Sequence, residues 1–393
     1  MTASIQSMYP NTNIINIIYY LLLFYIATIT LSCQNSKPYI ASSQKLQTDT
    51  TQKANFSVFL IGDAGKASEN EPTLQILKRE LQRSDNDNNN IDNSAVIFLG
   101  DNIYMFGLPD SNATSRKDAE LLLTRQLDIL KDYKGKPIMI PGNHDWNMSL
   151  KGGLAAVKRQ EQFVENYLQR GNTFLPDSAC PDAKEVLLND SIVLLVIDTE
   201  WWFHKHEKPQ GKTSYCHSKS PEDFLATMQA AIQRNEGKKI IIVGHHPLIT
   251  NSEYFSWKSH IFPLTDFNKK WLLPLPILGS IYVIYRKLGF SRHDISHPSY
   301  KKLRKGLMNS FANTPVLYAA GHDHNLQLHQ RNKQYYVVSG SGSKLRDVPK
   351  RHKALFTANK KGFAVVRFYQ NQKPMIEYFS EKGEVIFRKT LDW

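Results

Sequence analysis

Five short apolar runs along the chain each end in a glycine that is followed by a side chain able to bind a metal ion. Carboxylate, amide and imidazole groups together suit cations such as iron, zinc or manganese better than calcium alone. The glycine lets the backbone turn sharply and approach a cation, because it has no Cβ atom. The residues after the five glycines are Asp63, Asp101, Asn143 with His144, His245 with His246, and His322 with His324.

The apolar runs indicate where these side chains lie in the fold. They are short and rich in β-branched residues, which is typical of strands buried on both faces. Segments with helical periodicity separate them, so the sequence predicts an α/β layered architecture. In such folds the carboxyl ends of the strands meet at one edge, where ligand crevices form. One such motif alone is more typical of a turn, but five in order predict a single cluster.

The remaining segments fit the same architecture. Helices are predicted over residues 71–83 and 154–168, because each places apolar residues on one face. Ser220 followed by Pro221 predicts the start of another helix. After Gln330 only strand patterns occur, and they predict antiparallel strands that complete a sheet.

The N-terminal region differs in composition from the rest of the chain. Residues 14–31 form an apolar run that is closely followed by Cys33. This pattern predicts that residues 1–33 are a lipoprotein signal, an uncleaved membrane anchor or a plain signal peptide, and the three alternatives stay open. Residues 34–53 are polar and predict a flexible tether. Residues 54–393 are predicted to form one folded domain.

Export also bears on the remaining cysteines. If Cys33 is lipidated or removed, Cys180 and Cys216 are an even pair that an oxidising compartment allows to bridge. The alternative is two unrelated thiols, because spacing does not show proximity. No cysteine has another cysteine two to four residues away, which excludes the spacing of a zinc ribbon.

Composition and charge set broad limits on the partners. A chain with 41% apolar and 22% charged residues can build a sizeable core, so wholesale disorder is excluded. The net charge of +13 favours acidic partners, which include phosphorylated substrates, anionic lipid and nucleic acid. Nucleic acid is the weakest of these, because the basic residues are scattered and no recognised binding motif occurs.

The ordered motifs GDAG, GDNIY, GNHD, GHHP and GHDH resemble those of the dinuclear metallophosphoesterase superfamily and, within it, the purple acid phosphatases. The stretch that begins GHDHNLQLHQ is especially similar to the small, tartrate-resistant type. The resemblance covers roughly residues 56–345. It implies a layered αββα sandwich with mixed β-sheets and a centre that holds Fe(III) with a divalent Fe, Zn or Mn ion.

Tyr104 places the chain in this subgroup. Most of the superfamily begins with Asp-x-His, whereas Gly65 stands two positions after Asp63 here. In purple acid phosphatases a tyrosine three positions after the second aspartate replaces that ligand, and Tyr104 stands there. The resemblance implies the following ligands: Asp63, Tyr104 and His324 for Fe(III), Asn143, His245 and His322 for the divalent ion, and Asp101 as the bridge.

Two further histidines stand next to these ligands. His144 would face the crevice as a catalytic residue that stabilises phosphate or protonates the leaving group, or it would orient Asp101 instead. His246 is expected to have a structural role. Small acid phosphatases carry a histidine nine residues after the metal-binding one, but this chain has Tyr254 there, so His260 or another residue of the following segment would have to replace it.

Residues 251–312 form an insertion in which 269–290, "KKWLLPLPILGSIYVIYRKLGF", are largely apolar. The apolar part is too short, and too rich in proline, to span a bilayer. It would either contact an anionic membrane surface or pack as a lid on the domain. Residues 201–206, "WWFHKH", would either border the crevice or pack on the core.

Together these features predict an exported metal-dependent phosphatase of the cell envelope, a periplasmic or outer-membrane lipoprotein or a membrane-anchored protein. It would hydrolyse phosphomonoesters of small molecules or lipids with a metal-bound hydroxide as nucleophile. One alternative is a phosphodiesterase or pyrophosphatase that acts on nucleotides or lipid headgroups. The other is a non-catalytic phosphate-binding module of the envelope. The sequence does not predict an oligomeric state.

Overall fold

A computed structural model describes most of the chain beyond the N-terminal region. The described residues are 16, 37–44, 52–87, 93–251, 260–262, 273–348 and 353–393. The predicted export segment with Cys33 lies outside them apart from one residue, and so does Tyr254. Among the described residues, no helix is both long enough and apolar enough to cross a bilayer.

The described strands form two mixed sheets. In chain order the strands are β1 (Tyr39–Ile40), β2 (Phe56–Ile61), β3 (Ser94–Phe98), β4 (Lys136–Met139), β5 (Lys184–Asn189), β6 (Ile192–Val196), β7 (Lys239–Val243), β8 (Val316–Ala320), β9 (Leu326–Arg331), β10 (Gln334–Ser339), β11 (Phe356–Ala358), β12 (Gly362–Phe368), β13 (Met375–Ser380) and β14 (Val385–Thr390). One sheet has the order β1-β11-β9-β10-β8-β7-β6-β5, and the other has the order β14-β13-β12-β2-β3-β4. Strands β6, β7 and β8 run parallel, as do β2, β3 and β4.

The helices include those predicted from sequence. The described α-helices are α1 (Pro72–Asp87), α2 (Arg116–Leu127), α3 (Gly153–Leu168), α4 (Thr199–Phe203), α5 (Pro221–Arg234), α6 (Pro276–Lys287) and α7 (Pro298–Ser310). Ser220 caps α5 by accepting a hydrogen bond from the backbone N–H of Asp223, with Pro221 in the first turn.

Successive side chains of each strand point to opposite faces of its sheet, and this alternation produces the layers. Val58 and Leu60 of β2 belong to the apolar cluster between the two sheets, which also contains Val243 of β7. Phe59, between them in sequence, points the other way and belongs to the cluster that contains Leu77 of α1. Each sheet therefore buries one face against the other sheet and one against helices, which confirms the αββα sandwich.

Two expectations about the chain's ends need correction. The strands after Gln330 do not complete one sheet, because β10 pairs with β8 and β9 whereas β12 pairs with β2 of the other sheet. An alternating pattern shows which face is buried, but it does not show which strand is the neighbour. Within the predicted tether, Tyr39–Ile40 pairs with β11, so these two residues form an edge strand.

Cys180 and Cys216 form a disulfide with a Cα–Cα distance of 5.5 Å. It links the short turn after α3 to the loop before α5. Of the two alternatives for these cysteines, the structure contains the bridge.

Candidate metal centre

The parallel strands of both sheets bring the predicted ligands to one rim. Asp63 follows β2, Asp101 follows β3, and Asn143 follows β4. From the other sheet, His245 follows β7 and His322 follows β8. Carboxyl ends of parallel strands share an edge, and here the edges of the two sheets face one another.

One group of donor atoms surrounds the hydroxyl of Tyr104. This oxygen lies 2.8 Å from Oδ1 of Asp63, 2.9 Å from Oδ2 of Asp101 and 3.1 Å from Nε2 of His324. Nε2 of His324 also lies 3.2 Å from Oδ1 of Asp63. The four side chains are thus close enough for one cation to contact all of them.

A second group lies on the other side of Asp101. Oδ1 of Asn143 is 3.2 Å from Nε2 of His245 and 3.1 Å from Nδ1 of His322. The two imidazole nitrogens are 3.2 Å apart, and Oδ1 of Asp101 is 3.3 Å from Nε2 of His245. All seven predicted ligands therefore come together in the two groups that the resemblance implied, and Asp101 presents one oxygen to each group.

The ring of His245 is oriented for a cation. Nδ1 of His245 lies 2.8 Å from the backbone oxygen of Leu99, which only accepts hydrogen bonds, so this nitrogen donates. Nε2 is then the nitrogen that faces the carboxylate of Asp101 and the amide oxygen of Asn143. Histidines that bind metals are commonly oriented in this way, by a hydrogen bond from the other ring nitrogen to a backbone oxygen.

Burial favours the neutral form of four of the predicted ligands. Burial, followed by the charge of Asp101, raises the pKa of Asp63 well above its usual value, and the pKa of Tyr104 is raised for the same two leading reasons. Burial also lowers the pKa of His322 and of His324 well below the usual range, so both are neutral. Cations bound here would favour the ionised carboxylates and the phenolate, whose charges the buried site otherwise opposes.

The backbone at the strand ends is strained. Asp63, Asp101, His322 and His324 have φ angles of 58°, 55°, 69° and 54°, in the left-handed region that side chains with a Cβ rarely adopt. Each such residue costs on the order of 1–3 kcal/mol, and residues of this kind cluster at functional sites. Four of the seven predicted ligands share this strain.

The crowding around Gly65 explains why a tyrosine, and not a histidine two positions after Asp63, joins this group of donors. A Cβ atom at Gly65 would lie 2.4 Å from the backbone carbonyl carbon of Asn102, so no histidine fits at this position. The loop that crowds Gly65 carries Tyr104, whose phenol lies between Asp63 and Asp101.

Comparison with known proteins decides the family. The sequence profile of the calcineurin-like phosphoesterases matches residues 56–274. The chain belongs to the calcineurin-like phosphoesterase family. No curated protein matches the sequence significantly.

Three solved structures are similar to this phosphoesterase at low sequence identity. GAP50, described as the anchor in the inner membrane complex of Plasmodium, is 18% identical with a TM-score of 0.54, over 86% of this chain and 89% of its own. The purple acid phosphatase PPD1 of yellow lupin (Lupinus luteus) is 15% identical with a TM-score of 0.49, over 86% and 54% of the two chains. The 5'-nucleotidase of Candida albicans is 12% identical with a TM-score of 0.39, over 87% and 54%.

His144 lies next to Asp101 in this phosphoesterase. Its backbone N–H donates to Oδ1 of Asp101 at 2.9 Å, and its Nδ1 lies 2.5 Å from the backbone oxygen of Met105. Nε2 is then the nitrogen left to face the crevice, 3.8 Å from Oδ2 of Asp101. The backbone of His144 therefore orients Asp101, and its side chain lies against the same carboxylate.

Sequence reasoning missed Asp145, the last residue of the GNHD motif. Its buried carboxylate accepts hydrogen bonds from the backbone N–H of Asn102 at 3.0 Å, from that of Gly142 at 2.7 Å, and from Nε2 of Gln160 at 3.0 Å. Burial and then the charge of Asp101 raise its pKa to about 7. Asp145 therefore holds together the two loops that carry Asp101 and Asn143.

Sequence reasoning also missed a second cluster next to the rim. Nε2 of His293, in the insertion, lies 2.8 Å from Oε2 of the fully buried Glu200 and 3.2 Å from Oγ of Ser149. The ring of His293 stacks on that of His246 at 5.3 Å and lies 6.2 Å from that of His322. Glu200 lies in the first turn of α4, in which the aromatic residues of "WWF" pack into the core.

Lys344 brings a positive charge to the same crevice. Its Nζ atom lies 3.9 Å from the centroid of the Tyr104 ring. Burial, followed by the nearby charge of Arg346, lowers its pKa to about 8. The stretch "SGSK" contains this lysine, but nothing in its spacing distinguishes Lys344 from a surface residue.

Proposed function

We propose that this calcineurin-like phosphoesterase is a phosphatase of the purple acid phosphatase type, which hydrolyses phosphomonoesters with Fe(III) and a divalent cation in its dinuclear centre. The observation that supports this proposal is the position of Asp101, whose two oxygens each face a separate group of donors. A site built for two cations that share one carboxylate is suited to phosphoryl transfer.

Tyr104 supports the assignment of iron. The phenol oxygen of Tyr104 lies 2.8 Å and 2.9 Å from two carboxylate oxygens but has only one proton to donate, so a cation that ionises it would remove the repulsion that one proton leaves. An anionic oxygen donor stabilises a trivalent ion, and Gly65 leaves no room for the histidine that other members of the superfamily would use.

Two cations at this site would supply Lewis acidity to the phosphoryl group and lower the pKa of a bound water. The residues of the chain would supply the rest. The charge of Lys344 would attract the phosphate group. With Nδ1 donating to the backbone oxygen of Met105, Nε2 of His144 would donate to a phosphoryl oxygen only in the protonated ring, a form that an anionic phosphate favours. Both side chains border Tyr104, so they lie on the side of the crevice where the substrate would bind.

His293 is our candidate for the residue that protonates the leaving group. Its Nε2 atom is bonded to Glu200, which leaves Nδ1 for the ester oxygen of a substrate. Burial lowers its pKa, but the charge of Glu200 and the hydrogen bond to it outweigh this and raise the pKa of His293 above its usual value. A histidine from the insertion would thus replace the one that is absent at Tyr254.

Hydrolysis of an aryl phosphate by the purified chain and by Asp101→Asn tests the proposal. We expect the substitution to lower kcat/KM by about 10³-fold or more, since it removes the shared ligand and several kcal/mol of transition-state stabilisation. Asp110→Asn, in an exposed turn of the same loop, is the control. Equal rates for wild type and Asp101→Asn would defeat the proposal, and faster turnover of a diester would favour the phosphodiesterase alternative.

We also propose that the protein is exported to the cell envelope. The apolar run 14–31 with Cys33 supports this proposal, and so does the Cys180–Cys216 disulfide, since such bridges persist in oxidising compartments. Fractionation of cells that express the full chain and the Cys33→Ser variant tests it. A lipoprotein would move from the membrane to the soluble fraction on substitution, whereas a chain found in the cytoplasm with free thiols would contradict export.

A further inference from the structure

Helix α6 of the insertion presents an apolar stripe to solvent. Ile277, Ile281, Ile284 and Leu288 are spaced by four, three and four residues, so they fall on one face of the helix. Their exposed fractions are 76%, 58%, 53% and 66%. These four side chains therefore do not pack on the described part of the domain.

The stripe continues beyond these four residues. Leu273, Leu278, Tyr285 and Phe290 are also about half exposed or more, and the rings of Tyr285 and Phe290 stack at 5.0 Å. We call the eight residues the α6 apolar surface. Isolated exposed apolar residues are ordinary, but a contiguous patch of this kind marks a contact with a partner or with lipid.

The opposite face of α6 is fixed to the domain. Val283 and Gly279 are buried, and Arg286 pairs with the buried Asp294 through its Nε atom, at 2.8 Å and 2.9 Å from the two carboxylate oxygens. Asp294 directly follows His293, which bonds to Glu200 beside the metal centre. The Arg286–Asp294 pair and the His293–Glu200 bond therefore hold the α6 apolar surface in a fixed position relative to the metal centre.

A second contact fixes the same segment from the other side. Nη1 of Arg292 donates to the backbone oxygen of Phe203 at 2.9 Å, and Nε1 of Trp202 donates to the backbone oxygen of Ser299 at 3.1 Å. Both Trp202 and Phe203 belong to α4, which also carries Glu200. The segment between α6 and α7 is thus attached to the wall of the crevice on both sides of His293.

Among possible occupants of this surface, a lipid membrane fits best. The stripe is aliphatic at its centre, with Tyr285 toward one edge and the exposed Lys287 at the end of the helix, which is the composition of helices that lie in a membrane interface. The net charge of +13 attracts an anionic lipid surface. The apolar run 14–31 has the composition of a segment that would hold the chain next to such a surface.

We infer that the α6 apolar surface docks on an anionic membrane and that the substrates are phosphomonoesters carried by membrane lipids. This inference rests on the proposed phosphatase activity and specifies its substrate class. Because His293 and α6 belong to one fixed segment, docking would bring the crevice to the level of the headgroups. Water would attack phosphorus, the bond from phosphorus to the ester oxygen would break, and that oxygen would leave with a proton as the lipid alcohol.

Three substrates with the same reacting group test the inference. They are long-chain phosphatidic acid in phosphatidylcholine vesicles, a short-chain phosphatidic acid that is soluble as a monomer, and an aryl phosphate. The variant is Ile277→Ser/Leu288→Ser, and the matched control is Leu121→Ser/Leu187→Ser, which removes two exposed leucines elsewhere on the domain. All three proteins are full chains, so that any N-terminal anchor is the same in each.

We expect the α6 variant to hydrolyse the vesicle substrate at least about tenfold more slowly, because two large apolar side chains no longer enter the interface. Its rates on the two soluble substrates should stay within twofold of wild type, and the control should match wild type on all three. Equal rates for the variant and wild type on vesicles would overturn the inference, as would a wild type that cleaves only the soluble substrates.

Three outcomes distinguish a lipid membrane from a second copy of the chain and from an inactive protein. A wild-type dimer in gel filtration that Ile277→Ser/Leu288→Ser converts to a monomer would assign the surface to a second copy and overturn the membrane assignment. A wild type that hydrolyses none of the three substrates would instead contradict the proposed phosphatase function. Hydrolysis of the aryl phosphate with no response of vesicle hydrolysis to the α6 variant would leave that function standing and reject the lipid inference.

Discussion

The strand ends and the insertion contribute to the same crevice in opposite ways. At the strand ends, the seven predicted ligands follow five strands, four of them carry left-handed backbone, and all seven donors lie within about hydrogen-bond distance of another. The insertion contributes His293, which is held by its bond to Glu200 and by the bond of the neighbouring Arg292 to Phe203, and it exposes an apolar face. Under the proposed function, the strand ends would determine which metals bind and the insertion would determine which substrates react.

Tyr104→Phe should have the largest effect and should act on the metals. The phenylalanine keeps the ring contact with His144 but removes the oxygen that faces Asp63 and Asp101. We expect loss of visible absorption from tyrosinate bound to iron, less iron per chain, and about 10³-fold lower kcat/KM. Tyr215→Phe, at an exposed tyrosine, should change none of these. Retention of the visible band in Tyr104→Phe would remove the iron assignment.

His293→Ala should have the next largest effect and should leave the metals in place. If His293 protonates the leaving group, an alkyl phosphate should lose about 10²-fold in kcat, while an aryl phosphate with a good leaving group should lose much less. Iron content and the visible spectrum should match wild type, and His217→Ala, at an exposed histidine, should match wild type throughout. Equal losses on both substrates would reject the proton-donor role.

This contrast also separates what the sequence predicts from what it hides. Asp63, Asp101 and His245 could be predicted because strand, glycine and donor are adjacent in sequence, and the topology of an α/β fold does the rest. Glu200 follows another apolar run, residues 192–198, which ends without a glycine. His293 reaches the crevice only through contacts with residues distant in sequence, which no local periodicity encodes.

Asp145→Asn should have a smaller effect, confined to the strand ends. The amide keeps the volume but has one acceptor oxygen in place of two, so the bonds from Asn102, Gly142 and Gln160 cannot all be kept. We expect metal affinity to fall roughly tenfold, which is typical for residues that orient metal ligands. Titration with a chelator while activity is followed would measure this. Unchanged affinity would show that Asp145 has no part in positioning Asp101 and Asn143.

Arg286→Gln should have the smallest effect on chemistry, because it loosens the link between α6 and His293 and touches neither the metals nor the substrate. Removing one partner of this partly buried pair leaves the carboxylate of Asp294 with fewer hydrogen bonds, which costs on the order of 1–3 kcal/mol of stability. A double-mutant cycle with Asp294→Asn, measured by denaturant unfolding, separates the pair from its surroundings. If the link is what holds the segment, the double variant should be less destabilised than the sum of the two single variants. Strict additivity would mean that α6 and the segment with His293 are held independently, and the α6 apolar surface would then have no fixed relation to His293.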